Sequence, residues 1–219
     1  MSNSERIRVV ILISGSGTNL QAIIDAQANG ELDVNIVGVI SDRPNALGLE
    51  RATHAGIHTE TVDYKDYASR DAFDTELAKV LAALQPDLVV LAGYMRILAA
   101  ATVNAYQGRM LNVHPSLLPA YPGLNTYARA LAAGEKWHGT TVHFVIPELD
   151  AGPPILQYRV KVRPAETEAE LRARVQTGEY IIYPQAIGWF AAGRIGFSDG
   201  QALVDGEILT EAVVVDEAL

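Results

Sequence analysis

The stretch "VILISGSGTNLQAIIDA", residues 10–26, joins an apolar segment to a glycine-containing turn and then to an amphipathic segment. The apolar part, 7–13, is rich in Val and Ile, which is typical of parallel strands covered on both faces. Apolar residues then recur at helical spacing from Leu20 up to Asn29-Gly30. The pattern predicts a strand, a tight turn and a helix, which together begin an α/β fold.

The alternation of strand and helix continues through the first half of the chain. We predict further strands at 34–40, at 59–62, from Asp87 and at 109–115, with helices at about 45–54 and 69–84. Ser69 is expected to cap the second of these helices, with Asp71 in its first turn. Short links between such elements predict a doubly wound, mostly parallel sheet with right-handed, Rossmann-like crossovers.

The pattern changes after about residue 137. Segments 139–146 and 154–162 alternate like antiparallel strands that extend the sheet, and 167–192 returns to helical spacing. We expect the tail from 194 to form a short hairpin and a frayed end. Because the sequence shows no repeat, low-complexity segment or linker, we predict one domain over 1–219, with peripheral ends at about 1–6 and 200–219.

Composition and charge restrict the classes of function. A hydrophobic fraction of 49% with 20% charged residues is ordinary for a soluble globular enzyme. The net charge of −9 argues against a nucleic-acid partner, because such binding depends on Lys and Arg that neutralise phosphates. The absence of cysteine excludes disulfides and thiolate chemistry. The apolar run 7–13 is too short to span a bilayer and lacks a cleavage pattern, so we predict a cytoplasmic protein without a membrane partner.

The glycine turn leaves three alternatives open. A dinucleotide-binding turn prefers G-x-G-x-x-G, and the run Gly15–Leu20 lacks the third glycine. Two glycines before a helix suit a single phosphate, with Thr18 and Asn19 as side-chain donors. Asp42, roughly twenty residues on, is placed to bind the ribose of NAD. From these residues alone, a phosphate monoester, a dinucleotide and a purely structural turn all remain possible.

Asn112 and His114 are the first candidates for the chemistry. Side chains two apart on a strand share a face, and Pro115 ends this strand where open α/β sheets place their ligands. An amide and an imidazole side by side there can stabilise negative charge that develops on a carbonyl oxygen. The structural alternative is a strand-end histidine with ordinary partners and an asparagine that caps a turn.

Asp150, in "ELDAGPPI" (148–155), is the third candidate. If its carboxylate faces His114, the negative charge favours the imidazolium form of the ring. Such a pair can donate to an oxyanion and carry a proton from an attacking amine to a leaving nitrogen. The alternative is a plain turn residue before Gly-Pro.

The histidine spacing does not predict a metal site. Gly56 between His54 and His58 weakens a helical pair, and His138 and His143 are five apart across a strand entry. No H-E-x-x-H motif and no G-x-S-x-G nucleophile turn occurs in the sequence. We therefore predict neither a metal enzyme nor a serine hydrolase.

Six motifs in order resemble the folate-dependent formyltransferases, and within them the members that formylate a glycinamide ribonucleotide in purine synthesis. The motifs are "SGSGTNLQAI", "VLAGYMRIL", "LNVHPSLLPAYPGL", "HGTTVHFV", "ELDAGPPILQ" and "RVQTGEYIIYP", and they span about residues 8–194. The resemblance implies transfer of a formyl group from the co-substrate 10-formyltetrahydrofolate to the amine of 5′-phosphoribosylglycinamide. It also implies a monomer or homodimer that acts on small-molecule substrates.

The resemblance assigns the site position by position. In the catalytic set, Asn112 and protonated His114 stabilise the oxyanion, while Asp150 favours that protonated form and assists proton transfer. The ribonucleotide phosphate and ribose are assigned to Gly17, Thr18, Asn19, Gln176 and Glu179. The folate is assigned to Arg70, Met95, Arg96, Ile97, Leu98, Asn112, Ile146, Pro147, Glu148, Leu149 and Asp150. The sequence departs from the family pattern at Asn125 and Tyr127, where histidines are expected, and at "TGEY" (177–180), which replaces TQEH.

Four alternatives carry different expectations. A formyltetrahydrofolate hydrolase shares the His and Asp but has a regulatory domain in front, whereas the first strand here begins at Ile7. A methionyl-tRNA formyltransferase needs a basic carboxyl-terminal domain, and the residues after 194 include no Lys or Arg. A nicotinamide-dependent oxidoreductase would use the glycine turn and Asp42. A non-catalytic nucleotide-binding protein would keep the pocket without the chemistry.

Overall fold

The computed structural model describes residues 6–218, which form two compact units with their boundary between Leu111 and Asn112. The predicted peripheral positions 1–5 and 219 lie outside the described residues. Strand β5 (Met110–His114) carries the chain from the first unit into the second. Among residues 6–218, no helix combines the length and the apolar character needed to cross a membrane.

The first unit contains a parallel sheet. Its strands are β1 (Arg8–Ile13), β2 (Asn35–Ser41), β3 (Thr59–Thr61) and β4 (Leu88–Leu91), in the order β4-β1-β2-β3. All three pairings are parallel. The side chains from Val9 to Ile13 are fully buried, as expected of a strand covered on both faces. The prediction of a mostly parallel α/β sheet is confirmed.

The helices of the first unit follow these strands. They are α1 (Thr18–Ala28), α2 (Leu47–His54), α3 (Arg70–Leu84) and α4 (Ala100–Ala105), with a 3₁₀ turn at Tyr64–Asp66. The predicted cap is confirmed, because Ser69 Oγ accepts from the amide of Ala72 at 3.2 Å and Asp71 lies in the first turn. Helix α4 and the 3₁₀ turn were not predicted, since such short elements show no complete period.

The second unit continues from β5 through a different arrangement. Its further elements are α5 (Thr126–Ala132), β6 (Trp137–Phe144), β7 (Pro154–Lys161), α6 (Glu168–Ala191), β8 (Ile195–Ser198), β9 (Gln201–Val204), β10 (Glu207–Ile208) and β11 (Val213–Asp216). One sheet has the order β11-β7-β6-β5, and β6 pairs antiparallel with β7 as predicted. Thr167 begins α6 with a reciprocal capping box to Glu170.

The tail corrects one expectation. The predicted hairpin is present as β8 and β9, and β10 adds a third strand to this small antiparallel sheet. The predicted frayed end is wrong, because β11 pairs in parallel with β7. Arg159 and Asp216 form an ion pair at 2.7 Å, and Arg174 pairs with Glu217, so the carboxyl end of β11 is anchored. These partners lie far away in the sequence, where a local pattern gives no signal.

Candidate active site

Asn112 and His114 lie two residues apart on β5, so they point to the same side of the strand. His114 is 6% exposed, and the residues at 110, 111 and 113 are buried apolar side chains. Pro115 follows directly, and β5 ends at His114. The strand thus brings an amide and an imidazole together at its carboxyl end, as the period of two predicts.

Both ring nitrogens of His114 face oxygen acceptors. Nε2 lies 3.0 Å from the carbonyl oxygen of Tyr121, and because a carbonyl only accepts, this nitrogen carries a proton. Nδ1 lies 3.4 Å from Oδ2 of Asp150, which is longer than an ordinary hydrogen bond. The carboxylate therefore acts on Nδ1 by its charge and leaves this position open to a further partner.

Asp150 is held in a fixed position although it lies in a loop. Its side chain is 7% exposed, its backbone has φ 52°, and its Oδ2 accepts from the amide of Gly123 at 2.8 Å. Gly152 fits tightly behind it, since a β-carbon there would lie 1.8 Å from the carbonyl oxygen of Phe144. The segment from Tyr121 to Gly123 thus contacts both His114 and Asp150 through main-chain groups, the carbonyl of Tyr121 and the amide of Gly123.

Asn112 has a partner that the sequence analysis did not assign. Its Nδ2 lies 3.1 Å from Nε2 of His143, and Nδ1 of His143 lies 2.9 Å from the carbonyl oxygen of Phe144. Nδ1 must donate to that carbonyl, so Nε2 accepts from the amide and fixes its orientation. Burial lowers the pKa of His143 to about 4, which keeps the ring neutral. The sequence signal was present in "HGTTVHFV", but His143 was weighed only as a metal ligand.

The other histidines form no metal site. His138 is 1% exposed and stands edge-on to the ring of Tyr127 at 5.3 Å, and burial lowers its pKa to about 4. His58 pairs with Glu60 at the surface. Over residues 6–218, no group of three or more His, Asp or Glu side chains could hold a metal ion.

The glycine turn of the first unit depends on a close approach between two chain segments. Gly17 precedes α1 with φ 67°, and a β-carbon on it would lie 2.6 Å from the Cα of Gly48 in α2. Arg51 of α2 donates through Nε to the carbonyl oxygen of Ser16 at 2.8 Å. The turn thus combines a helix amino end, which carries partial positive charge, with a nearby cation. Thr18 and Asn19 follow directly.

The segment Met95–Leu98 of the first unit contains no helix or strand. The amide of Met95 donates to Ser14 Oγ at 2.8 Å, and the carbonyl of Ile97 accepts from Arg70 at 3.0 Å. Met95 and Ile97 are exposed, at 63% and 55%, whereas Leu98 is buried. This segment borders a cavity of about 350 Å³.

Asp42 does not stand where a dinucleotide would need it. Its carboxylate is 1% exposed and pairs with Arg96, with Oδ2 at 2.8 Å from Nε. A ribose-binding carboxylate must be exposed to accept from the ribose hydroxyl. The oxidoreductase alternative therefore loses the residue that favoured it.

The remaining predicted ligand positions lie in the second unit. Gln176 and Glu179 are on α6, where Glu179 is buried and Gln176 lines an open cavity of about 500 Å³ with Glu168 and Arg172. The loop Ile146–Leu149 follows β6, with Leu149 56% exposed. Tyr127, one of the departures from the family pattern, is buried in α5.

The fold and the geometry define an α/β protein with an amide, a histidine and a carboxylate at the end of one strand. The family profile described as "Formyl transferase" matches residues 7–187, and the chain belongs to this family. It is thus an enzyme of the transferase class. The resemblance noted in the sequence is confirmed.

Similar proteins cover nearly the whole chain. Phosphoribosylglycinamide formyltransferase of Escherichia coli is 50% identical over 203 residues, which are 93% of this chain and 96% of that protein. The solved structure of the phosphoribosylglycinamide formyltransferase of Coxiella burnetii has a TM-score of 0.91 and 48% identity, covering 95% of this chain and 100% of that chain. A glycinamide ribonucleotide transformylase from Symbiobacterium toebii has a TM-score of 0.88 and 47% identity, over 92% of this chain and 95% of that chain.

Proposed function

We propose that this enzyme transfers a formyl group from 10-formyltetrahydrofolate to the amine of 5′-phosphoribosylglycinamide, in purine synthesis. The observation that carries the proposal is the convergence of Asn112, His114 and Asp150 at the end of β5. The similar proteins from Escherichia coli and Coxiella burnetii are called phosphoribosylglycinamide formyltransferases, and the similarity covers nearly their full length. This similarity supports the choice of substrate.

Asn112 stabilises the charge that develops when the amine attacks the formyl carbon. A new carbon–nitrogen bond forms, and the formyl oxygen becomes an oxyanion. The Nδ2 group has two hydrogens, and one of them is used by His143. The second donates to the oxyanion from a fixed direction, which is the arrangement that lowers a barrier most effectively.

His114 supplies the second donor and moves the proton. Because Nε2–H is held by the Tyr121 carbonyl, Nδ1 is the atom that exchanges a proton with the reacting groups. The carboxylate of Asp150 lies 3.4 Å from Nδ1, and an Nδ1–H donates to the oxyanion. The attacking nitrogen then loses a proton, N10 of the folate gains one, and collapse of the tetrahedral intermediate releases tetrahydrofolate. Asp150 assists this exchange.

Each substrate is assigned to its own set of ligand positions. We propose that Gly17, Thr18 and Asn19 bind the phosphate of the ribonucleotide, because a helix amino end and Arg51 favour an anion there. Gln176 and Glu179 contact the ribonucleotide from α6. For the folate we keep the positions that the resemblance assigns: Arg70, Met95–Leu98, Asn112 and Ile146–Asp150. The folate is a co-substrate, and the chemistry assigned to these residues requires no metal.

We also propose a domain organisation, a class of partners, a cellular location and an oligomeric state. One formyltransferase domain over 1–219 is supported by the family match at 7–187, which runs across the boundary at Leu111. The partners are small molecules, and the net charge of −9 disfavours nucleic acid. A cytoplasmic location and a monomeric or homodimeric state remain predictions.

One assay tests the reaction. The protein is mixed with 10-formyltetrahydrofolate, with and without 5′-phosphoribosylglycinamide, and tetrahydrofolate and formate are measured. We expect tetrahydrofolate only when the amine is present, without formate. Tetrahydrofolate with formate in the absence of the amine would instead identify a formyltetrahydrofolate hydrolase. No turnover with either acceptor would refute the proposal.

A further inference from the structure

Asp42 is a buried carboxylate that the reaction described above does not use. It follows β2 (Asn35–Ser41) at the carboxyl end of the parallel sheet in the first unit, and it is 1% exposed. Its Oδ2 lies 2.8 Å from Nε of Arg96, and Nε of Arg43 is farther away at 4.0 Å. The ion pair joins two positions that are 54 residues apart in the chain.

Arg96 is also held by aromatic rings. Its guanidinium carbon lies 3.4 Å from the centroid of the Tyr64 ring and 5.5 Å from that of Phe73. Stacking on an aromatic face and pairing with a carboxylate together restrict a guanidinium in direction as well as in place. Arg96 is therefore fixed although its side chain is 32% exposed.

Arg96 belongs to a segment that no regular hydrogen-bond ladder supports. The segment Met95–Leu98 is held by Ser14 at Met95 and by Arg70 at Ile97, and the pairing of Arg96 with Asp42 is the contact between them. Three side chains thus fix the segment where a strand would be fixed by ladder hydrogen bonds: Ser14 after β1, Asp42 after β2, and Arg70 in α3. Removal of the Asp42 contact leaves Arg96, at the middle of the segment, held by its aromatic contacts and without an ion pair.

The Asp42–Arg96 pair contributes little to stability. A buried ion pair gains attraction but loses the hydration of both charges, and an apolar replacement is often as stable. The Oδ1 of Asp42 is also buried without a hydrogen-bond partner among the described residues, which adds to the cost. Such an arrangement is explained better by the geometry that it imposes on Arg96 than by the stability that it adds.

We propose that Asp42 is a positioning residue for the folate: its pairing with Arg96 sets the conformation of Met95–Leu98 beside the 350 Å³ cavity. The inference rests on the proposed function, because it takes this segment as part of the folate site. Asp42 does not touch the reacting atoms. Its loss should therefore weaken binding of the folate and leave the chemical step unchanged.

The test uses Asp42→Asn, which keeps the shape of the side chain and removes its charge. We expect the KM for 10-formyltetrahydrofolate to rise about 10-fold, the change that loss of one charge-assisted hydrogen bond produces in a binding constant. The kcat and the KM for the ribonucleotide should stay at the wild-type values. Binding of tetrahydrofolate, followed by intrinsic fluorescence, should weaken in parallel and requires no turnover.

Glu60→Gln is the matched control. It removes the same charge from β3 (Thr59–Thr61), the neighbour of β2, and its carboxylate pairs with His58. We expect wild-type constants for this variant. If Asp42→Asn does not fold, Tyr64→Leu removes the aromatic contact of Arg96 from an exposed position and should raise the same KM.

A double-mutant cycle separates positioning from general damage. If Asp42 acts through Arg96, the variant with both Asp42→Asn and Arg96→Gln should have the folate KM of Arg96→Gln alone, within about two-fold. Independent effects that multiply would overturn the inference, as would equal changes in both KM values or a wild-type KM in Asp42→Asn.

The wild-type protein separates the inference from the proposed function. A wild-type protein that binds tetrahydrofolate but transfers no formyl group would refute the reaction alone, and the binding series would still test Asp42. A wild-type protein that does neither would refute both.

Discussion

His114 of the second unit is placed by a strand and by main-chain contacts, whereas Met95–Leu98 of the first unit is placed by side chains. The imidazole sits on β5, and the segment from Tyr121 to Gly123 contacts both His114 and Asp150 through main-chain groups. The Met95–Leu98 segment depends on Ser14, Asp42 and Arg70.

The difference concerns what a side-chain substitution can disturb. Main-chain contacts persist when a side chain is changed, so variants of His114 and Asp150 should report on the chemistry of the group removed. Side-chain contacts disappear with the substitution, so variants around Met95–Leu98 should report on position and affinity.

Replacement of His114 should have the largest effect. In His114→Ala the site loses a donor to the oxyanion and the group that moves the proton, so we expect kcat to fall roughly 10³-fold. The KM values should change little, because the surrounding loop is held by its main chain. Steady-state kinetics measures both constants, and His54→Ala in α2 is the control. A near wild-type kcat would remove His114 from the mechanism.

The buried histidine beside Asn112 should make stability depend on pH. Burial lowers the pKa of His143 to about 4, below the ordinary value of 6.5. Between pH 4 and pH 6.5 the unfolded chain therefore binds more protons at this residue than the folded protein does. The free energy of unfolding should therefore decrease as pH falls from 7.5, by about 2 kcal/mol at pH 5 from His143 alone. His138 acts in the same direction.

Urea unfolding at pH 7.5 and pH 5 measures this loss. The variant His143→Phe should show a smaller pH dependence, and His54→Gln should retain the wild-type dependence. A free energy of unfolding that rises towards pH 5 would contradict the assignment of a neutral, buried His143.

Two neighbouring glycines offer a matched pair in the first unit. The backbone of Gly17 has φ 67°, and a β-carbon added there would lie 2.6 Å from the Cα of Gly48. A β-carbon added at Gly15 would meet nothing within 4 Å. Gly17→Ala should destabilise the protein by roughly 1–2 kcal/mol and raise the KM for the ribonucleotide, because the turn must open. Gly15→Ala should behave as wild type. Equal effects in thermal unfolding and kinetics would refute the close approach of the two segments.

Removal of the Arg70 contact should have the smallest effect. Arg70→Gln loses the hydrogen bond to the carbonyl of Ile97, and we expect the KM for 10-formyltetrahydrofolate to rise about 5-fold at unchanged kcat. Lys79→Gln, on the same helix α3 and paired with Glu76, should leave both constants unchanged. A fall in kcat without a change in KM would reverse the contrast between the two units.

Much of the fold could be predicted where periodicity is local. The buried strand β1, the capped helix α3 and the antiparallel pair β6–β7 each carry a complete pattern in a short window. Helix α4 spans six residues and β11 spans four, so neither offers enough positions for a pattern. The pairing of β11 with β7 also depends on contacts that no window near the tail contains.

In the candidate site, too, local motifs identified residues, whereas contacts between distant residues could not be predicted. Its motifs identified the residue types, but the sequence analysis left Asp150 open as a turn residue until the resemblance was considered. It assigned no role to His143 in orienting Asn112, because their pairing joins two strands across 31 residues of chain. Asp42 was a ribose ligand only in the dinucleotide alternative, and the structure directs its carboxylate to Arg96.

By itself, the amino-acid sequence determined the order of the strands and of the longer helices in the first unit, and the shared face of Asn112 and His114. These properties follow from backbone sterics and from the periods of strands and helices, which act over a few residues. Only the tertiary structure decided which carboxylate faces His114 and which cation Asp42 binds. Such pairings depend on which distant segments are buried together, because burial determines how strongly two charges interact.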